Sequence, residues 1–234
     1  MNNKFKELFK VKKPIIGMIH LAGNSIDEKI KRALEELNIY QNEGLDGAVV
    51  EDYHANGVEL ALALNKISEK NWNIKIGINY LRNPHLSFAM AEEHNANFIQ
   101  LDNVDGQVDR YKERRASYPN LVILGGVRFK YQPLTGRTLD EDLEIGKQRA
   151  DAIVTTGEGT GIETPIKKLR EFKSLLRDYP LVSGAGVNLE NIYEQLIIAD
   201  CVIVGSYLKQ ESKTNLPVDY RRVKEIRLEV QRLR

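Results

Sequence analysis

Eight short runs rich in isoleucine and valine alternate with helix-like segments along the chain. The predicted strands cover residues 14–20, 46–51, 74–79, 97–102, 121–128, 151–155, 180–184 and 201–205. A strand followed by a helix, repeated every ~20–30 residues, is the pattern of a (β/α)₈ barrel. The sequence therefore predicts an α/β chain that folds as a single TIM-barrel domain over residues 1–234.

Amphipathic segments separate these strands and are predicted to be helices. They cover residues 27–42, 58–70, 85–94, 107–117, 139–149, 165–177 and 189–198, and a last helix begins near residue 218. Phe5, Leu8 and Phe9 have helical spacing, so a short N-terminal helix is expected to cover the barrel floor. A doubly wound open sheet is the alternative. Against it, no glycine-rich dinucleotide fingerprint follows the first strand, because Gly17 lies inside that strand.

Charge and hydropathy exclude several classes of partner. Lysine and arginine number 34 against 33 aspartate and glutamate, so the net charge of +1 gives no reason to expect nucleic acid. No segment approaches the ~20 apolar residues of a membrane span, and the N-terminus lacks the apolar core of a signal peptide. We therefore expect a cytoplasmic protein, and a homo-oligomer by analogy with other barrels of this kind.

Two neighbouring strands near the C-terminus end at glycine. Such glycines let backbone N–H groups approach a ligand, and a helix that follows adds its positive N-terminus. Two ends of this kind make a phosphate site after strands 7 and 8 of a TIM barrel. Glycines that serve packing alone are the alternative. The predicted phosphate-binding residues are Ser183, Gly184, Gly186, Gly205 and Ser206.

Ionisable residues end several other strands, where a barrel places its chemistry. His20 is suited to proton transfer near neutral pH. Glu51 and Asp102 are candidate bases or metal ligands, and Arg128 or Lys130 could stabilise an enolate-like intermediate. The alternatives are a hydrogen-bonded histidine at the rim and plain salt bridges between these carboxylates and cations. No HxH or HExxH spacing supports a divalent metal, and the cofactor stays unassigned.

Two further segments are candidates for substrate binding. Asn79 ends the third predicted strand and could hydrogen-bond to a substrate, with a structural role as the alternative. The run after the sixth strand is rich in glycine and hydroxyl groups and resembles an anion-binding loop, although it lacks the lysine of a Walker A motif. Its predicted substrate-binding residues are Thr155, Thr156, Gly157 and Glu158.

Several stretches together resemble the BtpA/SgcQ family. They are residues 17–21, 44–52, 77–83, 151–154, 183–188 and 199–209, and the similarity extends from about residue 13 to about residue 223. The resemblance implies a TIM barrel similar to the ribulose-phosphate-binding group. Family members are linked to photosystem I biogenesis in cyanobacteria and to sugar-metabolism operons. By position, the family's histidine corresponds to His20, its glutamate to Glu51, and its phosphate loops to the glycine-ended strands.

The chain departs from this family in the loops of the barrel mouth. The loop after His20 is short, the loop after Asp102 looks trimmed, and residues 128–131 stand where the family tends to have a Lys-His pair. The sequence predicts an enzyme that acts on a small phosphorylated metabolite, favouring a sugar phosphate, by acid/base lyase or isomerase chemistry. The alternative is a non-catalytic assembly or regulatory factor on the same scaffold.

Overall fold

Eight parallel strands close into a barrel in which each strand pairs with the next and the last with the first. The structure, a computed structural model, describes residues 3–106 and 110–234. The strands are β1 (Ile15–Ile19), β2 (Gly47–Glu51), β3 (Lys75–Asn79), β4 (Phe98–Leu101), β5 (Val122–Gly126), β6 (Ala152–Thr155), β7 (Leu181–Ser183) and β8 (Cys201–Val204). The predicted TIM barrel is confirmed, and the open sheet is excluded.

Helices surround the barrel and connect its strands. They are α1 (Lys4–Phe9), α2 (Ile26–Asn42), α3 (Gly57–Ser68), α4 (Leu86–Glu93), α5 (Arg110–Ser117), α6 (Leu139–Arg149), α7 (Ile166–Leu176), α8 (Ile192–Ile198) and α9 (Tyr220–Gln231). Two 3₁₀ turns, Ser206–Leu208 and Gln210–Ser212, follow β8. The start of the helix predicted over 107–117 lies outside the described residues. None of the helices in the described ranges is long and apolar enough to cross a membrane.

Alternate residues of the strands point inward and fill the barrel with apolar side chains. This inner core includes Ile16, Met18, Val49, Phe98, Leu124, Val154, Val182, Cys201 and Ile203. At its lower end α1 inserts Phe5 and Phe9, and the Phe9 ring lies 5.8 Å from that of Phe98. The expected floor helix is confirmed. Because these rings close the bottom of the barrel, the carboxyl ends of the strands form the side from which a ligand can approach the barrel axis.

Gly17 in β1 shows why a glycine lies inside a buried strand. A Cβ atom at this position would lie 2.5 Å from the ring of Tyr40 on α2. The Tyr40 hydroxyl passes over the strand and donates a hydrogen bond to the carbonyl oxygen of Met18 at 2.9 Å. The glycine therefore lets α2 pack directly on β1.

Candidate active site

At the barrel mouth, the inward-facing side chains of the strands surround a small polar pit of about 40 Å³. His20 follows β1, Glu51 ends β2, and Gln100 and Asp102 lie in and just after β4. Lys130 reaches the pit from the loop after β5. The side-chain period of a strand is two residues, so the strands that point apolar side chains into the core also point their last residues into the pit. His20 lies two residues after Met18, Glu51 two after Val49, and Gln100 and Asp102 two and four after Phe98.

Glu51, which is buried, and Asp102, which is half-buried, form a carboxylate pair. The amide nitrogen of Asn79 donates to Glu51 Oε1 at 2.9 Å and to Asp102 Oδ1 at 3.0 Å, which holds the two groups close together. Burial and the neighbouring Asp102 raise the pKa of Glu51 to about 8. Burial also raises the pKa of Asp102, although hydrogen bonds from Gln100 and Asn79 oppose the shift. Near neutral pH the pair therefore retains a proton.

His20 is buried and carries no charge near neutral pH. Burial lowers the pKa of His20 well below its ordinary value, and the positive charges of Lys209 and Lys130 add to the effect. The ring lies edge-to-face against Tyr53 at 5.3 Å, and its Nδ1 atom is buried without a hydrogen-bond partner among the described residues. A neutral imidazole and a protonated carboxyl group that line the same pit can act as a base and an acid.

Lys130 supplies a positive charge at the edge of the pit. Its backbone N–H donates to Thr156 Oγ1 at 2.7 Å, which fixes the loop after β5 to the end of β6. Its ammonium group donates to Thr160 Oγ1 at 3.2 Å. The charge lies near enough to the carboxylate pair to lower the pKa of both acids, against the larger effect of burial. Within the described ranges, no three His, Cys, Asp or Glu side chains are grouped to hold a metal ion.

A wider basin of about 420 Å³ adjoins the pit above β7 and β8. Both cavities share the lining residues Thr160, Gly161, Gly186, Gly205 and Ser206. Gly186 has φ +64°, and a Cβ there would lie 2.1 Å from the backbone nitrogen of Glu163, so only glycine fits. A Cβ at Gly205 would lie 3.4 Å from the His20 ring, so this backbone borders both the pit and the basin.

The prediction that Arg128 faces the mouth beside Lys130 is wrong. Arg128 has φ +45°, which interrupts the strand alternation and turns its side chain toward α6. There its guanidinium donates to Asp142 Oδ2 at 3.1 Å and to the carbonyl oxygen of Arg137 at 3.0 Å. The alternative for Arg128, an ion pair with Glu51 or Asp102, is also wrong, because its guanidinium pairs with Asp142 instead.

Ser183 also faces away from the mouth, contrary to its predicted role as a phosphate ligand. The sequence places it between inward-facing Val182 and the mouth glycine Gly184, so its hydroxyl points into the helix layer. There it donates to Gln195 Oε1 at 2.6 Å and lies 3.3 Å from Thr164 Oγ1. Gly184 and Gly186, in contrast, line the pit.

The substrate-binding predictions after β6 are displaced by a few residues. Thr155 is fully buried below the mouth, Thr156 supports Lys130, and Glu158 is exposed outside both cavities. A Cβ at Gly157 would lie 2.3 Å from the Glu163 carbonyl oxygen, so this glycine permits two segments of the loop backbone to lie close together. Thr160 and Gly161, from the same run, line the cavities instead.

Asn79 joins protein groups together instead of facing a substrate. Its amide nitrogen donates to both carboxylates, and the residue is 1% exposed. The predicted substrate contact is therefore replaced by a positioning role: Asn79 sets the separation of Glu51 and Asp102.

The family model described as the BtpA family matches residues 11–232. The chain belongs to the BtpA family. An uncharacterized protein of Methanocaldococcus jannaschii is 25% identical, covering 94% of this chain and 95% of that protein. The "Photosystem I biogenesis protein BtpA" of Synechocystis is 27% identical over 93% of this chain and 88% of its own length. The alignment with the archaeal protein spans 253 positions, more than the 234 residues of this BtpA-family chain, so that relative carries segments this chain lacks.

Solved structures share the barrel of this BtpA-family protein at low sequence identity. N-(5'-phosphoribosyl)anthranilate isomerase from Pyrococcus furiosus has a TM-score of 0.64 at 16% identity, covering 94% of this chain and 99% of that chain. Orotidine 5'-phosphate decarboxylase from Pyrococcus horikoshii has a TM-score of 0.65 at 13% identity, covering 93% and 99%. At these identities the likeness establishes the fold.

Sequence reasoning missed several residues that line the candidate site. Tyr53 packs against His20 in the pit, and the basin wall includes the segment 212–215 after β8. Thr214 in that segment is hydrogen-bonded to His54 at 2.9 Å, which brings the loops after β2 and β8 together. Tyr53 directly follows the Glu51-Asp52 pair and could have been suspected from that position. No local signal marks 212–215, because its place depends on closure of the barrel.

Proposed function

We propose that this protein is an enzyme that catalyses proton transfer on a small phosphorylated metabolite, with a sugar phosphate as the favoured class and a lyase or isomerase as the favoured type. The observation that carries the proposal is the junction of two chemically different cavities. A pit with a protonated carboxyl group and a neutral histidine opens directly into a basin bordered by glycine backbone. Groups suited to acid/base chemistry thus lie next to the cavity in which we propose that a phosphate binds.

The basin is where we place the phosphate. Gly161, Gly186, Gly205 and Ser206 bring backbone to the cavity wall without bulky side chains, as a phosphate cradle requires. Lys130 lies at the inner edge and adds a positive charge. Two barrels of similar fold bear names that include phosphorylated compounds, a phosphoribosyl compound for one and orotidine 5'-phosphate for the other. These names support the assignment of a phosphorylated ligand here.

In the proposed step, protons move between the pit and the substrate. His20 as a neutral imidazole takes a proton from a substrate carbon or hydroxyl group, and the carboxylate pair gives its proton to a substrate oxygen. The ammonium group of Lys130 stabilises negative charge that develops on that oxygen. Asn79 acts as a positioning residue because it holds both carboxyl groups from behind.

Phosphate binding tests the first part of the proposal. Ser206 lines both cavities and is partly exposed. Ser206→Asp places a negative charge at the proposed phosphate position, whereas Ser206→Asn adds a neutral side chain of the same shape. We expect Ser206→Asp to weaken binding of inorganic phosphate and ribulose 5-phosphate by more than about tenfold, and Ser206→Asn by less than about threefold, in isothermal titration calorimetry. Equal effects of the two variants would contradict a phosphate at this place.

A second candidate function is a non-catalytic assembly or biogenesis factor. It is favoured by the printed name of the Synechocystis relative, a photosystem I biogenesis protein at 27% identity. In that case the barrel would act through its outer surface. A Glu51→Gln/Ser206→Asp double variant removes the acid and the proposed phosphate site together. If cells that carry this variant keep the protein's cellular role, the second function is favoured. If they lose that role, the enzyme is favoured.

A further inference from the structure

The carbonyl oxygen of the Gln100 side chain is a buried acceptor with no hydrogen-bond partner in the part of the chain that the structure describes. The side chain of Gln100 lines the pit and is 4% exposed, and its Oε1 atom makes no hydrogen bond with the described residues. Leaving a buried polar atom unpaired costs free energy, so such atoms mark places where a ligand group completes the hydrogen bonding. The proton-transfer step proposed above does not use this atom.

The orientation of the Gln100 amide follows from its neighbours. Gln100 Nε2 donates to Asp102 Oδ1 at 3.0 Å, and the same oxygen also accepts from Asn79 at 3.0 Å. A flipped amide would place Gln100 Oε1 against this carboxylate oxygen, and two acceptors would then face each other. The carboxylate therefore fixes the nitrogen of Gln100 on its own side and leaves the carbonyl oxygen as the free end.

The size and charge of the pit limit what can meet this oxygen. A volume of about 40 Å³ has room for a small group only. Glu51, Asp102 and Gln100 line that space, and the carboxylate pair keeps one negative charge, which Lys130 opposes only from the edge of the pit. A carboxylate beside Gln100 would face the unpaired Gln100 acceptor and the negative charge of the pair, whereas an O–H or N–H group would supply the missing donor.

We propose that Gln100 is a specificity-determining residue that selects substrates whose reacting end carries a hydroxyl or amine donor and rejects those with a carboxylate there. The proposal rests on the proposed function for the position of the phosphate, which lies in the basin and leaves the opposite end of the ligand to the pit. The substrate class is thereby narrowed to phosphorylated alcohols, hydroxycarbonyl compounds or amines.

A matched pair of ligands tests this selection. Ribitol 5-phosphate and 5-phosphoribonate differ at one terminus, which is a hydroxymethyl group in the first and a carboxylate in the second. Titration calorimetry of the wild-type protein is expected to show at least about tenfold tighter binding of ribitol 5-phosphate. Gln100→Met removes the amide at similar length and should weaken binding of ribitol 5-phosphate by about five- to tenfold, while binding of inorganic phosphate changes by less than about twofold.

Controls separate this proposal from the proposed function. Gln132→Met changes a glutamine near the mouth that bonds to Asn103 and lines neither cavity, and it should leave all affinities unchanged. Equal or tighter binding of 5-phosphoribonate, or no effect of Gln100→Met on ribitol 5-phosphate, would overturn the selection by Gln100. If inorganic phosphate fails to bind, the proposed function fails instead. Unphosphorylated ribitol and ribonate, titrated in parallel, then still decide between an alcohol and an acid in the pit.

Discussion

At the residue scale, Glu51 is a buried acid whose protonation links function to stability. Its pKa of about 8 in the folded protein exceeds the value of an exposed glutamate, so the folded state holds more protons than the unfolded state between these values. The free energy of unfolding therefore falls as the pH rises through this window. Burial of protonated Glu51 costs the folded state little free energy, whereas burial of ionised Glu51 beside Asp102 destabilises it.

Replacement of Glu51 by glutamine removes this pH dependence. We expect Glu51→Gln to be about 1–3 kcal/mol more stable than wild type near pH 9, with the difference falling toward zero near pH 5. Urea unfolding followed by circular dichroism at both pH values measures it. Glu171→Gln, on the exposed face of α7, is the matched control and should shift stability equally at both. A constant difference for Glu51→Gln would mean that this acid is ionised throughout.

The predictable part of the site consists of residues that continue a strand's alternation. His20, Glu51 and Asp102 could be placed in the mouth because each lies two residues above an inward-facing side chain. Arg128 could not be placed correctly, since its positive φ is uncommon for arginine and reverses the direction of its side chain. The unpaired Gln100 oxygen was equally hidden, because the orientation of the Gln100 amide depends on Asp102, which is itself held by Asn79 from β3.

At the element scale, a buried ion pair connects the segment after β8 to α2. Lys209 Nζ lies 2.6 Å from Glu36 Oε2, with both side chains less than 5% exposed, and Glu36 Oε1 accepts from the Val218 N–H at 3.2 Å. This contact anchors the chain that leaves the basin wall. It also places a positive charge near enough to His20 to lower its pKa.

Loss of one partner of this pair should be more harmful than loss of both charges. Lys209→Met leaves Glu36 buried and unpaired, so we expect a loss of about 3–5 kcal/mol in the free energy of unfolding. Lys209→Met combined with Glu36→Gln keeps an acceptor for Val218 and should recover at least about 1 kcal/mol. Denaturant unfolding of both variants measures the difference. A double variant less stable than Lys209→Met would contradict this role.

Helix and strand limits were predictable within a few residues except beside the basin. The helix predicted over 189–198 begins only at Ile192. Asn188 Oδ1 accepts from the N–H groups of Glu190 and Asn191, so the chain makes an asparagine-stabilised turn before the helix starts. After β8 the chain forms 3₁₀ turns in place of an immediate α-helix. The proposed phosphate site therefore relies on loop backbone more than on helix ends.

At the scale of the whole molecule, the repeated strand–helix pattern was enough to predict a closed barrel and its floor helix. Parallel strands buried on both sides are near-continuous apolar runs, and this chain has eight of them. The junction between the pit and the basin could not be predicted from the sequence. It needs Thr160 from the loop after β6, Gly186 from that after β7 and Ser206 from that after β8 in one place.

A crystal structure of the protein with ribitol 5-phosphate at saturating concentration tests the central claim most directly. We predict a phosphate group within hydrogen-bonding distance of the backbone at Gly186 and Ser206, with the terminal hydroxyl in the pit beside Gln100 and Glu51. A phosphate bound elsewhere on the molecule, or a ligand reversed so that its phosphate fills the pit, would contradict it.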